Sequence, residues 1–255
     1  MADAVFPFPG GKSRFASWIL DYVPEHTCFV EVFGGAAGVL ANKSSDTSTV
    51  EVYNDRDGDL VHFFEVLRNR PDELIEWLQT VPYSREIHLK WAHAFYHGYR
   101  PSDAIERAGQ FFYLRYSQWG AKYDKSAGFA TSKVSSRTLS YSNKRDRFDE
   151  VVLENLDWSE VFEKYDSEET VFYLDPPYVG KEDYYLIDTI EHSALVDALG
   201  GLEGRWICSY SELPDGMDEF HVVGRDENHF IGNGKSGSTT STRERLVMNF
   251  EPEAA

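Results

Sequence analysis

Apolar positions along the first seventy residues alternate between two spacings. Phe15, Trp18, Ile19 and Tyr22 fall at helical intervals, whereas Cys28-Phe29-Val30-Glu31-Val32-Phe33 reads as a strand. A glycine-rich turn follows, then a second strand over Thr49 to Tyr53 and a periodic segment through Leu60, Val61, Phe64 and Leu67. This βαβα order predicts a largely parallel sheet with helices on both faces. The pattern then changes. From Pro71, residues Leu74, Trp77, Leu78 and Val81 share a helical face, and helical spacing continues to about Trp119 with breaks near Pro82 and Pro101. A Gly/Ser/Lys-rich irregular stretch runs on to Asn143. Strand-like runs resume at Thr170 to Leu174, Trp206 to Tyr210, Phe220 to Val223 and Leu246 to Phe250, with Leu195, Val196 and Leu199 marking a helix between them. The expected architecture is an α/β sheet domain over residues 1–70 and 150–255, interrupted by a mostly helical insertion over 71–149. No internal repeat is visible.

Composition narrows the class. In 255 residues, 42% are hydrophobic and 15% aromatic, so the formal charge of −18 belongs to the surface of a folded protein and not to a disordered acidic chain. The acidity also argues against a generic basic nucleic-acid coat. It fits either a solvating face or a high-salt cytoplasm, and the small share of Lys, 10 of 25 basic residues, leans towards the second. No apolar run approaches the ~20 residues of a membrane span, and Met1 to Gly10 lacks the basic and apolar regions of a secretion signal. Cys28 and Cys208 sit in strand-like runs and read as buried free thiols of a reducing cytoplasm. The eight His residues show no ligand spacing, and no metal site is expected.

The charge is uneven along the chain. Between Arg107 and Arg147 lie nine basic residues (Arg107, Arg115, Lys122, Lys125, Lys133, Arg137, Lys144, Arg145, Arg147) against two acidic ones, a local +7 that leaves −25 elsewhere. Aromatic residues are interleaved: Phe111, Phe112, Tyr113, Tyr116, Trp119, Tyr123, Phe129 and Tyr141. Cations can neutralise phosphates while aromatic faces stack on bases, so this stretch has the character of a nucleic-acid footprint. An ordinary helix with a charged face accounts for it equally well.

Three local motifs carry chemistry. Glu31-Val32-Phe33-Gly34-Gly35-Ala36-Ala37-Gly38 follows a strand and precedes a predicted helix, and its small residues let backbone approach a ligand closely. The spacing is not Gly-x-Gly-x-x-Gly, which argues against a dinucleotide. Asp55, in Tyr53-Asn54-Asp55, ends the next strand, where a carboxylate can accept hydrogen bonds from ribose hydroxyls; a helix N-cap is the simpler use of Asp55 or Asp57. Asp175-Pro176-Pro177-Tyr178 follows the strand Val171 to Leu174, and its two prolines make a rigid turn. A carboxylate and a backbone carbonyl there can accept both protons of an exocyclic amino group and draw its lone pair out of the ring. An aromatic ring can stack on the base.

In this order the motifs resemble those of the Dam-like (D12 class) adenine-N6 DNA methyltransferases, which use S-adenosyl-L-methionine. Phe8-Pro9-Gly10-Gly11-Lys12 is similar to that family's Trp-Ala-Gly-Gly-Lys element, the Glu31 to Gly38 segment to its donor-binding motif, Asn54-Asp55 to its ribose-binding acid and Asp175 to Tyr178 to its catalytic motif. Phe112 to Tyr116 with Trp119-Gly120 resembles part of its recognition insertion, and Asn233 to Gly237 through Arg243 a glycine-rich segment before its last strand. The resemblance implies a Rossmann-like methyltransferase sheet at 1–70 and 150–255 and a target-recognition insertion at 71–149. It implies donor contacts from Phe8, Lys12, Phe33, Gly35, Asp55, Asp157 and Asp175, with Lys12 on the methionine carboxylate and Asp157 at the adenine edge. Asp175 and the Pro176 carbonyl would bind the target amino group, and Tyr178 would stack on a flipped adenine. Arg115, Lys122, Lys125, Lys133 and Arg137 would contact DNA, and Lys181, Lys235 and Arg243 could extend that face, although Gly232 to Thr242 reads equally as a loop with incidental charge.

The chain departs from the pattern at three places. Phe8 replaces a Trp, Leu114 an Asn, and Ala37 a Gly whose loss is expected to tighten the donor pocket. The implied enzyme is a site-specific methyltransferase of a restriction-modification type, a monomer or weak dimer acting on double-stranded DNA in a prokaryotic cytoplasm, encoded by the cell or by its virus. Three other readings share the motifs: cytosine-N4 methylation, RNA or protein amide methylation, and a DNA- or donor-binding module that has lost catalysis. Asp as the first residue of the catalytic motif favours adenine.

Overall fold

The computed structural model of the chain describes residues 4–118, 128–130, 146–178, 190–231 and 238–252. Seven strands form one sheet: β1 (Cys28–Glu31), β2 (Val50–Asn54), β3 (Val152–Glu154), β4 (Thr170–Leu174), β5 (Arg205–Tyr210), β6 (His221–Ile231) and β7 (Ser238–Met248), in the order β3-β2-β1-β4-β5-β7-β6. Strands β1 to β5 are mutually parallel, and β7 is antiparallel to both β5 and β6. From β1 the chain steps outward to β2 and β3, then returns to β4 on the other side. The carboxyl ends of β1 and β4 therefore flank the point where strand order reverses, which is where open α/β sheets bind ligands.

The near-continuous apolar runs are explained by burial on both faces. Alternate residues of one strand enter different cores. Phe29, Val171, Tyr173, Ile207 and Leu246 join one, while Val30, Phe172, Leu174, Trp206, Cys208 and Val247 join the other. The first core also receives α1 (Ala16–Leu20), α2 (Gly58–Asn69) and the helices that follow it: α3 (Pro71–Thr80), α4 (Arg85–Tyr96) and α5 (Ala104–Ser117). The second receives α6 (Trp158–Tyr165) and α7 (His192–Leu199).

The stretch from Pro71 is helical as expected, and its helices share a core with the sheet. The Phe112 ring stacks on Phe63 of α2 at 5.6 Å and 6°, and Phe111 meets Phe6 edge-on at 5.6 Å. Each ring buried in this way contributes about 1.5–3 kcal/mol. Gly109 allows α5 to lie against Trp77, whose ring would stand 2.3 Å from an added Cβ.

Three expectations about elements need correction. No α-helix follows the glycine-rich turn; a short 3-10 turn, Leu40–Asn42, stands there. Gly35 and Ala37 both have left-handed backbone (φ +50° and +53°), and the Glu31 carboxylate accepts the N–H groups of Leu40 (2.8 Å) and Val39 (3.3 Å), so side chain replaces helix in satisfying this segment. Strand β3, three residues long, was not expected. Gly232 to Thr242 has the composition of a loop, yet β6 runs to Ile231 and β7 starts at Ser238. Positions 232–237 lie outside the described residues. Among the described residues, no helix is long and apolar enough to cross a membrane.

Candidate active site

The carboxyl ends of β1, β2 and β4 surround a cavity of about 290 Å³. Its floor is the glycine-rich turn. Gly34 has no room for a side chain, since an added Cβ would lie 2.2 Å from the Tyr53 ring, and Tyr53 Oη donates to the Gly35 carbonyl at 2.8 Å. Gly35 lies under the Phe8 ring, 3.1 Å from where its Cβ would stand. Asn54 staples the rim: its amide donates to Val32 O (2.9 Å) and Leu156 O (3.2 Å), and its oxygen accepts from Leu156 N (2.9 Å).

Asp55 and Asp57 divide the two uses the sequence left open. Asp57 is the N-cap of α2, accepting from Asp59 N at 2.8 Å. Asp55 faces the cavity, and each of its oxygens accepts one backbone N–H at 2.8 Å, from Gly35 and from Asp57. Burial, reinforced by the neighbouring Asp57 charge, pushes its pKa up to about 7. Glu31 also lines the cavity, and burial pushes it up to about 8 against its two backbone hydrogen bonds.

Asp175 ends β4 in a different environment. Lys12 Nζ lies 2.7 Å from its Oδ1 and donates to Gly10 O at 2.9 Å. Burial raises the Asp175 pKa, and the Lys12 ammonium opposes that rise. Lys12 Nζ also stands 4.8 Å over the Tyr178 ring and 3.8 Å from Glu244 on β7, whose carboxylate accepts the Tyr178 hydroxyl. Glu244 is 3% exposed. Its sequence setting, Thr-Arg-Glu-Arg, carries no sign of burial, and reading the sequence missed it. It also assigned no role to Glu31, although an acid closing an apolar strand before glycines is a visible signal.

All seven residues expected on the donor side line this one cavity: Phe8, Lys12, Phe33 and Gly35, with Asp55, Asp157 and Asp175. Besides Asp55, three of them already have polar partners. Lys12 holds Asp175, and Asp157 caps α6 by accepting from Ser159 N (3.1 Å) and Ser159 Oγ (2.8 Å), with Arg56 at 3.6 Å. Ala37 is fully buried and is not among the cavity-lining residues, so its methyl does not tighten the pocket.

The expected DNA face needs a larger correction. Arg115 is 1% exposed and donates to Gln118 Oε1 (2.7 Å) and Tyr96 Oη (3.2 Å), so it belongs to the interior and not to a phosphate contact. Arg107 pairs with Asp59 at 2.8 Å, and Arg147 forms a bidentate pair with Glu51 at 2.6 and 2.9 Å. Phe111, Phe112 and Tyr113 are buried core rings and cannot stack on bases. Lys122, Lys125, Lys133 and Arg137 lie outside the described residues, as do Lys181 and Lys235. Arg243 is exposed and pairs with Asp226 at 3.0 Å. No cluster of potential metal ligands occurs among the described residues.

Residues 8–195 match the D12 class N6 adenine-specific DNA methyltransferase family, a span that takes in every residue of this cavity. The chain belongs to that family. It is also 23% identical over 186 residues, 68% of each chain, to the type II methyltransferase M.CviBI of Paramecium bursaria Chlorella virus NC1A. Solved structures similar to it include the C-terminal domain of precorrin-6Y C5,15-methyltransferase from Rhodobacter capsulatus (9% identity, TM-score 0.45, 97% of this chain and 95% of that one). A second is a precorrin 8w decarboxylase from Methanobacterium thermoautotrophicum (13% identity, TM-score 0.41, with the same coverage). For a D12 class DNA methyltransferase, Asp175 to Tyr178 is the segment that follows the central strand β4. The family match ends before Glu244, which reaches the same site from β7.

Proposed function

We propose that this methyltransferase binds S-adenosyl-L-methionine in the cavity at the ends of β1, β2 and β4 and methylates N6 of an adenine flipped out of duplex DNA. The cavity's own chemistry supports the donor. Aromatic and apolar walls from Phe8, Phe33 and Trp158 suit a nucleoside, Asp55 presents a half-buried carboxylate to hydroxyl groups, and Gly35 leaves backbone exposed where a side chain would intrude. When bound, the donor supplies an electrophilic methyl group.

The protein's part is to make a poor nucleophile competent. Conjugation with the ring withdraws the lone pair of an adenine amino group. Asp175 Oδ and the Pro176 carbonyl, held by the two-proline turn, accept its two N–H protons and favour the pyramidal geometry in which that lone pair is available. An ionised Asp175 is required, and Lys12 at 2.7 Å favours that form against burial. Tyr178 covers the base, offsetting part of the few kcal/mol that flipping costs. No covalent enzyme intermediate is needed: Cys208 is fully buried, burial pushes both thiols up, and neither lines the cavity.

The Lys12–Asp175 pair beside the cavity is the observation that carries this reading. Labelled S-adenosyl-L-methionine incubated with mixed-sequence duplex DNA should yield N6-methyladenine on digestion and mass analysis. N4-methylcytosine as the product would replace the reading with its nearest alternative, and donor binding without product would indicate lost catalysis.

A further inference from the structure

We propose that Glu244 is a positioning residue for the target base, acting through Tyr178 and Lys12. The antiparallel strand β7 carries it there. Arg245 pairs with Tyr210, the last residue of β5, so Glu244 is the first β7 residue beyond the carboxyl end of that strand, the end of the parallel strands at which the cavity lies. Its carboxylate, 3% exposed, meets both groups that flank Asp175: Oε1 accepts the Tyr178 hydroxyl and stands 3.8 Å from Lys12 Nζ. Lys12 in turn holds Asp175 at 2.7 Å and lies 4.8 Å from the Tyr178 ring centre.

A closed set results. Asp175 and Tyr178, three residues apart on one rigid turn, are tied a second time through space by Lys12 and Glu244. A tyrosine ring pinned at its hydroxyl cannot swing about its χ angles, so Glu244 sets where the stacking face lies relative to the Asp175 oxygens. A buried carboxylate is costly unless matched by a cation and a hydrogen-bond donor, and Glu244 has both. Tyr210, 5.9 Å from the Tyr178 ring, backs the ring on a further side.

The inference rests on the reading of Tyr178 as the ring that holds the base. Steady-state methylation of duplex DNA by the full-length enzyme tests it with Glu244→Ala, Glu244→Gln, Tyr178→Phe and the Glu244→Ala/Tyr178→Phe double variant. Misplacing a reacting group costs up to about 100-fold, so Glu244→Ala and Tyr178→Phe should each lower kcat by about 10- to 100-fold, with KM for the donor within about 3-fold. Because both variants remove the Tyr178–Glu244 contact, while Tyr178→Phe also loses the hydrogen bond to Asp175 and Glu244→Ala the carboxylate beside Lys12, the loss in the double variant should fall well short of the product of the single losses. Glu244→Gln keeps an acceptor for the hydroxyl and should recover most of the rate. Wild-type kcat in Glu244→Ala, or losses that multiply in the double variant, would overturn the proposal. So would a Glu244→Gln variant as slow as Glu244→Ala. If Glu244→Ala fails to fold, Tyr178→Phe and Glu244→Gln still decide: a wild-type rate in the first or a full loss in the second rejects the role. Full activity in Asp175→Ala would instead reject the base-side reading itself, an outcome the Glu244 variants alone cannot produce.

Discussion

Asp55 and Asp175 stand at the carboxyl ends of β2 and β4, on either side of β1, and both line the same cavity. Their partners differ. Asp55 meets two backbone N–H groups and a second carboxylate, and its pKa rises to about 7. Asp175 meets a lysine ammonium at 2.7 Å. A carboxylate held by backbone dipoles suits neutral hydroxyl donors, whereas one paired with a cation is favoured in the charged form that the proposed contact with an amino group requires. Two half-buried carboxylates at equivalent strand ends thus acquire different chemistry, and the difference comes from their charged neighbours, Asp57 beside the first and Lys12 beside the second.

The comparison breaks most severely at Asp175. Asp175→Ala should lower methyl transfer by about 1,000-fold or more while donor binding, followed by fluorescence or calorimetry, persists. A variant that still turns over at the wild-type rate would place the chemistry elsewhere. Lys12→Met comes next. Losing the ammonium leaves burial opposed only by the Tyr178 hydrogen bond, so the Asp175 pKa rises further and the protonated, inactive form persists to higher pH. The acid limb of the kcat profile should move to higher pH, with a loss at pH 6.5 larger than at pH 8.5; an unmoved limb would mean that Lys12 serves only the donor. Asp55→Asn should be milder, raising donor KM by about 10-fold. In the wild type, donor affinity should strengthen as Asp55 ionises through about pH 7, and the amide should abolish that dependence.

Much of this frame was legible in the sequence because buried parallel strands are apolar on both faces and end where motifs begin. β1, β2, β4 and β5 are runs of four to six residues that stand out on composition alone. Since strand ends converge, motifs far apart in the chain could be assigned to one place. Direction and burial of long side chains were not legible. Arg107, Arg115 and Arg147 count as positive charge in the sequence, yet each spends that charge on a partner inside the fold, on Asp59, the Gln118–Tyr96 pair and Glu51. The aromatic residues of α5 fit both readings for the same reason: core rings and base-stacking rings have the same composition. The β6–β7 hairpin escaped because Ser238 to Thr242 reads as polar loop, and the buried position of Glu244 depends on a register that no local pattern encodes.

The smallest effect is expected behind the two aspartates, at Glu31. It is 2% exposed, and its pKa rises from the usual 4.5 to about 8. Between those values the folded protein holds a proton that the unfolded chain has released, so unfolding releases protons and stability falls as pH rises through that window. The slope from one such group is at most about 1.4 kcal/mol per pH unit, reduced where the site relaxes to admit water. Glu31→Gln removes the titration. Its oxygen can still accept from Leu40 N, but its amino group must face one of the two N–H donors that the carboxylate now satisfies, at a cost of about 1 kcal/mol. The variant should therefore be slightly less stable than the wild type at pH 5 and more stable at pH 9, with the denaturation midpoints crossing between. Parallel curves would mean that Glu31 stays ionised throughout, and that the turn beneath the cavity is held by a charge instead of a neutral acid.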